Sequence, residues 1–288
     1  MLSGDQRLSE DEPKNNRLCK KWFLIALSIL VVSSVIIVNL SFVASFFNTS
    51  HEPDFSTYKT TVGQTIENNF GRFTLNEVMV DNNQILLNAS FEPVEDLDFD
   101  YQIFFFPQVL VNGQDYTVRN GGQTIKQTES NYTIYNSVKM RDLPQNETLK
   151  LDIRYNDWNW EKPIDQPWGF KIDASQKQLL KDRIIIPVNK TMSLSDGQVI
   201  KVEKVVSTPI STTIYFQSTQ SLYESISFKI LNDSGKTWRY DSSYTLNEEH
   251  TMWGMRFDAL YVKEKKYQLI PVDAQDKELG PAIQISGK

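Results

Sequence analysis

The sequence predicts an all-β ectodomain: two tandem β-sandwiches behind one N-terminal transmembrane helix. Three observations carry that prediction. The stretch Trp22–Phe47 contains no charged residue, and about 20 mostly apolar residues are what a helix needs to cross a bilayer core. Beyond it, apolar positions recur with a period of two in short runs separated by Asn, Asp, Gly and Pro, the pattern of strands and tight turns. The single cysteine, Cys19, lies ahead of the apolar tract, so no intrachain disulfide can form and the rest of the chain must be held by core burial.

Residues 1–21 form a short polar tail interrupted by Pro13, with Leu2, Leu8 and Leu18 too sparse for a helical stripe. It reads as a disordered segment or a docking peptide. Residues 22–47 are the span. Arg17, Lys20 and Lys21 stand directly before it, whereas Glu52 and Asp54 follow it, so the positive-inside rule places the N-terminus in the cytoplasm and the C-terminal region outside. A cleaved leader would have to exceed the usual length of about 15–30 residues, so the segment reads as a permanent anchor in the cell membrane. Residues 48–59 are a polar stalk.

Residues 60–175 form the proximal β domain. Phe73 and Leu75 alternate with Thr74 and Asn76, and Ile85, Leu87 and Ala89 alternate with outward positions across the turn Asp81-Asn82-Asn83. The pattern continues through Tyr101–Phe106, Gln108–Val111, Tyr116–Arg119, Thr133–Met140, Leu149–Tyr155 and Gly169–Asp173. Turns are expected at Asn112-Gly113, Asn120-Gly121-Gly122 and Pro144-Gln145-Asn146. Such short, evenly spaced strands indicate a sandwich rather than a parallel sheet.

Residues 176–187 read as a linker in which Gln176–Lys181 makes one or two helical turns. The distal β-sandwich, 188–288, resumes at Val188 and runs through Val199–Val206, Thr212–Gln217, Ser225–Leu231, Thr237–Tyr240, Met252–Phe257, Lys266–Val272 and Ala282–Ser286, with turns at Asp196-Gly197 and Asp233-Ser234-Gly235. A shift of 127 positions lays Phe73, Leu75, Glu77, Val78 and Met79 over Ile200, Val202, Lys204, Val205 and Val206. Both segments switch their buried face after the charged residue, as a β-bulge does, so the two halves read as structural relatives.

Charge and motifs bound the chemistry. The tail holds five basic and four acidic residues, and the remainder 25 basic and 32 acidic, a net of −7. A mildly acidic ectodomain without a basic block argues against nucleic acid as a partner. Only His51 and His250 are present, and no nucleophile motif, Gly-x-Ser-x-Gly elbow or zinc-protease pattern accompanies them. Neither an enzymatic activity nor a cofactor is expected. Glu92, Glu95, Asp96, Asp98 and Asp100 cluster, but the calcium-loop pattern would need glycine where Tyr101 stands, so no metal is expected and the acids read as a solvated strand edge. Trp158 and Trp160, in the segment Tyr155–Trp168, fall on one face of an extended stretch. They can form a flat platform for a sugar or peptide, or cap the core.

Two sets of runs carry a resemblance. Val188-Asn189-Lys190-Thr191, Leu194-Ser195-Asp196-Gly197, Ile200–Val206 and Pro209–Phe216 resemble the distal ectodomain of a family of single-span envelope proteins from Gram-positive bacteria. Phe73–Val80, Asp81–Leu87 and Trp168–Asp173 resemble that family's immunoglobulin-like domain of unknown function. The resemblance spans roughly residues 60–288 and implies tandem immunoglobulin-like sandwiches. Members are often labelled anti-sigma factors, which implies a cytoplasmic sigma factor of the extracytoplasmic-function class as inner partner, and no catalytic residues come with the family. The 21-residue tail lacks the zinc-binding His/Cys/Cys module of anti-sigma proteins, so any grip on a sigma factor would be that of a peptide folding on binding. The expected function is therefore non-enzymatic: outside, sensing or binding of an unidentified ligand or protein; inside, regulation of a sigma factor. The alternative is a passive surface or adhesion module for which the anchor is a tether.

Overall fold

A computed structural model describes Phe47 and residues 55–94, 105–158, 162–221 and 226–285. Residues 55–94, 105–158, 162–221 and 226–285 are all-β apart from a 3₁₀ turn at Ser56–Tyr58 and one short helix. The first nine strands are β1 (Lys59–Asn68), β2 (Gly71–Asp81), β3 (Gln84–Pro93), β4 (Gln108–Val111), β5 (Gln114–Asp115), β6 (Thr117–Thr128), β7 (Asn131–Met140), β8 (Thr148–Trp158) and β9 (Lys162–Ser175). Helix α1 (Lys177–Asp182) follows. The other nine are β10 (Ile184–Ser193), β11 (Val199–Ser207), β12 (Ser211–Ser218), β13 (Ser227–Asn232), β14 (Thr237–Arg239), β15 (Ser242–Thr245), β16 (Met252–Asp258), β17 (Tyr267–Val272) and β18 (Ile283–Gln284).

These strands make four antiparallel sheets, ordered β1-β2-β3-β7-β6, β5-β4-β8-β9, β10-β11-β12-β16-β15 and β14-β13-β17-β18. Numbering the second set from β10 as the first is numbered from β1 gives the same two strand orders. The bulges repeat as well. In β2–β3 the register slips between Leu75 and Glu77, and in β11–β12 between Val202 and Lys204. Leu75 opposes Ala89 and Val202 opposes Phe216, so both partners keep the 127-residue offset read from the sequence.

Each pair of sheets encloses its own core. In the first sandwich Phe73 is fully buried, with ring centroids 4.4 Å from Tyr155, 5.2 Å from Trp168 and 5.7 Å from Phe105. The Trp168 Nε1–H donates to Gly71 O at 3.2 Å, satisfying the one polar atom that so large a buried ring carries. The second core gathers Phe216, Phe228, Phe257, Tyr267 and Leu269, with Phe216 edge-on to Phe228 at 5.0 Å.

Several expectations are corrected. Asn120-Gly121-Gly122 is not a turn but part of β6. A Cβ on Gly122 would collide with Asn136 Nδ2, which donates to Phe105 O at 2.7 Å, so glycine here permits close packing inside a strand rather than a reversal. The turn at Asn112-Gly113 is present, with φ of +51° and +82°. Strand β10 begins at Ile184, ahead of the expected Val188, which shortens the connection to α1 and Arg183. The end of the expected stalk does not stand off in solvent: Phe55 and Tyr58 pack on a buried cluster. The expected strand Tyr101–Phe106 lies outside the described residues except for Phe105 and Phe106, and the span 22–47 lies outside them except for Phe47. Among the described residues no helix is long and apolar enough to cross a membrane.

Candidate functional site

The two sandwiches meet through their equivalent hairpin turns. Asp81–Gln84 joins β2 to β3, and Thr208–Ser211, at the same offset of 127, joins β11 to β12. Asp81 is fully buried. Its Oδ1 accepts from Asn82 N at 2.7 Å and from Thr208 Oγ1 at 2.9 Å, and its Oδ2 accepts from Gln84 Nε2 at 3.1 Å and from Ser211 Oγ. A buried carboxylate that accepts several hydrogen bonds has its solvation replaced by fixed donors.

The neighbouring asparagines reach across the junction. Asn82 Nδ2 donates to Tyr215 Oη at 3.0 Å, and Asn83 Nδ2 donates to Thr213 Oγ1 at 2.8 Å and Tyr244 Oη at 3.0 Å. The two tyrosine hydroxyls converge on Asp142, each donating to Oδ1 at 2.6 Å. Burial first, then the Asp142 carboxylate, raises the pKa of Tyr215; burial and the neighbouring Tyr215 raise that of Tyr244. Both therefore stay protonated as donors. The turn's backbone is satisfied too, with Leu143 N bonded to Asn82 O and Met140 N to Asn83 O.

A charged triad lies beside the turn. Arg256, on β16, is 1% exposed; its Nη1 donates to Asn83 O at 3.0 Å and its Nη2 to Ser242 Oγ at 2.7 Å. Asp241 Oδ2 sits 3.4 Å from Arg256 Nε and 2.7 Å from Lys139 Nζ. Lys139 also donates to Gln84 Oε1 at 2.9 Å. Burial, then repulsion from Arg256, pulls the Lys139 pKa down to about 8. Burial alone would raise the Asp241 pKa, but Lys139 and Arg256 together hold it below the usual carboxylate value.

An apolar cluster completes the junction. Phe47, Met79, Leu86, Leu179 and Ile210 are buried together, with Phe55, Tyr58 and Tyr135 against them. They bring the entering chain, both hairpins and α1 to one place. The Phe47 ring stacks on Tyr135 at 5.9 Å with Lys59 Nζ 5.4 Å from its centroid, and Tyr58 Oη donates to Asp182 Oδ2 at 2.8 Å. The acids and bases of the network are already paired with one another, so the arrangement is suited to holding two bodies in fixed relation.

The residues singled out in the sequence fare differently. Trp158 ends β8, its backbone paired with Lys162 in the β8–β9 hairpin, while Trp160 lies outside the described residues. Of the acidic cluster, Glu92 pairs with Arg72 on β2 and residues 95–100 lie outside the described set. His250 occupies a turn organised by Asn247, whose Oδ1 accepts from Thr251 N and Met252 N. From the sequence Asp81-Asn82-Asn83 reads only as a turn, and Arg256 is not singled out. A single cation inside the strand Met252–Phe257 was the available signal.

Comparison with known proteins bears on the fold. Residues 183–283 match the model of a family of unknown function, DUF5643. That span runs from the start of β10 to the first residue of β18, the distal sandwich. A crystal structure described as a conserved domain protein from Bacillus anthracis is similar over 82% of this chain and 94% of its own, at 17% identity and a TM-score of 0.61, and supports the fold alone. FdeC, an Escherichia coli adhesin, overlaps 72% of this chain and 60% of its own at 5% identity, but its TM-score of 0.20 carries no argument. No curated protein matches the chain.

Proposed function

We propose that this is a non-enzymatic, single-pass membrane protein whose two immunoglobulin-like sandwiches act as one rigid extracytoplasmic body, binding a ligand or protein outside and passing its state inward through the span. A cytoplasmic sigma factor is the inner partner that the family resemblance favours. The observation that carries the reading is the position of Phe47. It is the last residue of the uncharged stretch, and it is buried where the hairpins of both sandwiches meet. Any movement of the joined sandwiches as a body would act directly, through Phe47, on the chain leading to the anchor.

The test has two parts. A reporter active only outside the cytoplasm, fused after Lys288, is active if the positive flank Arg17–Lys21 stays inside; an inactive fusion contradicts the topology. Capture of a sigma factor by an immobilised peptide of residues 1–21 supports signalling, whereas no specific capture favours the passive tether.

A further inference from the structure

The first sandwich carries a second feature away from the junction. A cleft of about 210 Å³ opens between the edge strand β6 and the β4–β5 hairpin, lined by Phe106, Gln108, Asp115, Thr117, Asn120 and Asn156. Its polar groups are incompletely used. Asn120 Nδ2 donates to Pro107 O at 2.9 Å; flipping the amide would set oxygen against oxygen, so its orientation is fixed. The Asn120 Oδ1 is then buried, with no hydrogen-bond donor among the described residues. Asn156 Nδ2 donates to Gln108 Oε1 at 3.1 Å, and Asp115 Oδ1 accepts from Thr117 N at 2.8 Å. A primary amide carries two N–H donors, so both amides keep donors for a ligand.

We propose that this cleft binds one ring of a neutral carbohydrate. A sugar hydroxyl both donates and accepts, which matches a site offering the Asp115 carboxylate as acceptor and the amide N–H groups of Gln108 and Asn156 as donors. Phe106 supplies an apolar wall for the C–H face of the ring. The volume suits a single ring rather than the drug-sized ligands that fill about 300–1,000 Å³. The lining holds one carboxylate and neither Lys nor Arg, so anionic ligands are disfavoured. Strand β8 continues from Asn156 to Trp158, which places the sequence's candidate platform residue two positions from the cleft. The site goes beyond the anchoring reading, because sugar binding can be measured whether or not the chain signals.

The experiment is saturation-transfer difference NMR on the full chain in nanodiscs, a setting free of glycoside detergent. The probes are cellobiose, N,N′-diacetylchitobiose and, as a cationic control, putrescine. The expected result is saturable transfer to at least one disaccharide, weakened about tenfold or more by Asp115→Ala or Asn156→Ala, as loss of a hydrogen bond with a charged or buried partner entails. The distant Tyr261→Ala should leave it unchanged, and melting curves of all variants should match the parent. No transfer from either sugar, transfer indifferent to both cleft variants, or binding of putrescine alone would overturn the proposal.

Discussion

Asp81 and Thr208 stand at equivalent positions of the two sandwiches and are hydrogen-bonded to each other, Thr208 Oγ1 donating to Asp81 Oδ1 at 2.9 Å. One carboxylate thus receives donors from both ends of the opposing turn, Thr208 and Ser211. The turns are related by the same offset as the bulges in the hairpins behind them. The two halves therefore meet through matched pieces of the same architecture, and the residues that differ between those pieces supply the complementarity.

Arg256 is the first place to test this junction. Arg256→Met removes a buried cation and leaves Asp241, Asn83 O and Ser242 short of a partner, so urea unfolding should show a loss of about 3–5 kcal/mol. Combined with Asp241→Asn the total should fall short of the sum of the single losses, because both changes act on one network. Full additivity would mean that the pair is not coupled.

The pH dependence has a definite sign. The folded pKa of Lys139 lies near 8, below its ordinary value of 10.5, so between those values the unfolded chain binds more protons than the folded one. Stability should then rise with pH, by about 2 kcal/mol between pH 7 and 9.5. Lys139→Met should flatten that rise in denaturant midpoints measured across the range. Asp241 acts at the other end: its lowered pKa gives stability that is present above the ordinary carboxylate value and is lost as pH falls below it.

Much of the fold was legible because strand periodicity and turn residues are local signals. The bulge after Leu75 and its counterpart after Val202 could be read from the switch of buried face alone. Strand β15 escapes the pattern because Ser242–Thr245 is short and carries one apolar residue, Tyr244, and β1 because Lys59–Asn68 is an edge strand without a fully buried position. The junction was illegible for a different reason. Asp81, Asn83 and Arg256 are polar residues of a kind usually found at the surface, and only contact between residues 173 apart in the chain, Arg256 and Asn83, reveals them as interior.

Gly254 tests the tyrosine pair. A Cβ at this position would collide with the Tyr244 ring, so Gly254→Ala should push Tyr244 off Asp142 and Asn83 and cost about 1–3 kcal/mol, as overpacking usually does. In a Tyr244→Ala background the same change should cost much less. Equal costs in both backgrounds would show that the glycine matters for some reason other than the ring.

Phe47 tests the connection to the preceding chain. Phe47→Ala should lower stability by about 3 kcal/mol if the ring is buried on Met79, Leu86 and Ile210. Thermal melts of the full chain give the answer, and an unchanged melting temperature would detach the entering chain from the junction.

The buried turns fix the two sandwiches as one body. Pulsed electron spin resonance measures this directly, with Cys19 replaced by Ser and spin labels placed at Glu129→Cys on the β6–β7 turn and Lys263→Cys in the second sandwich. The expected result is a single narrow distance distribution that broadens when Asp81 and Asn83 are both changed to Ala. A broad or multiple distribution in the unaltered junction would contradict it.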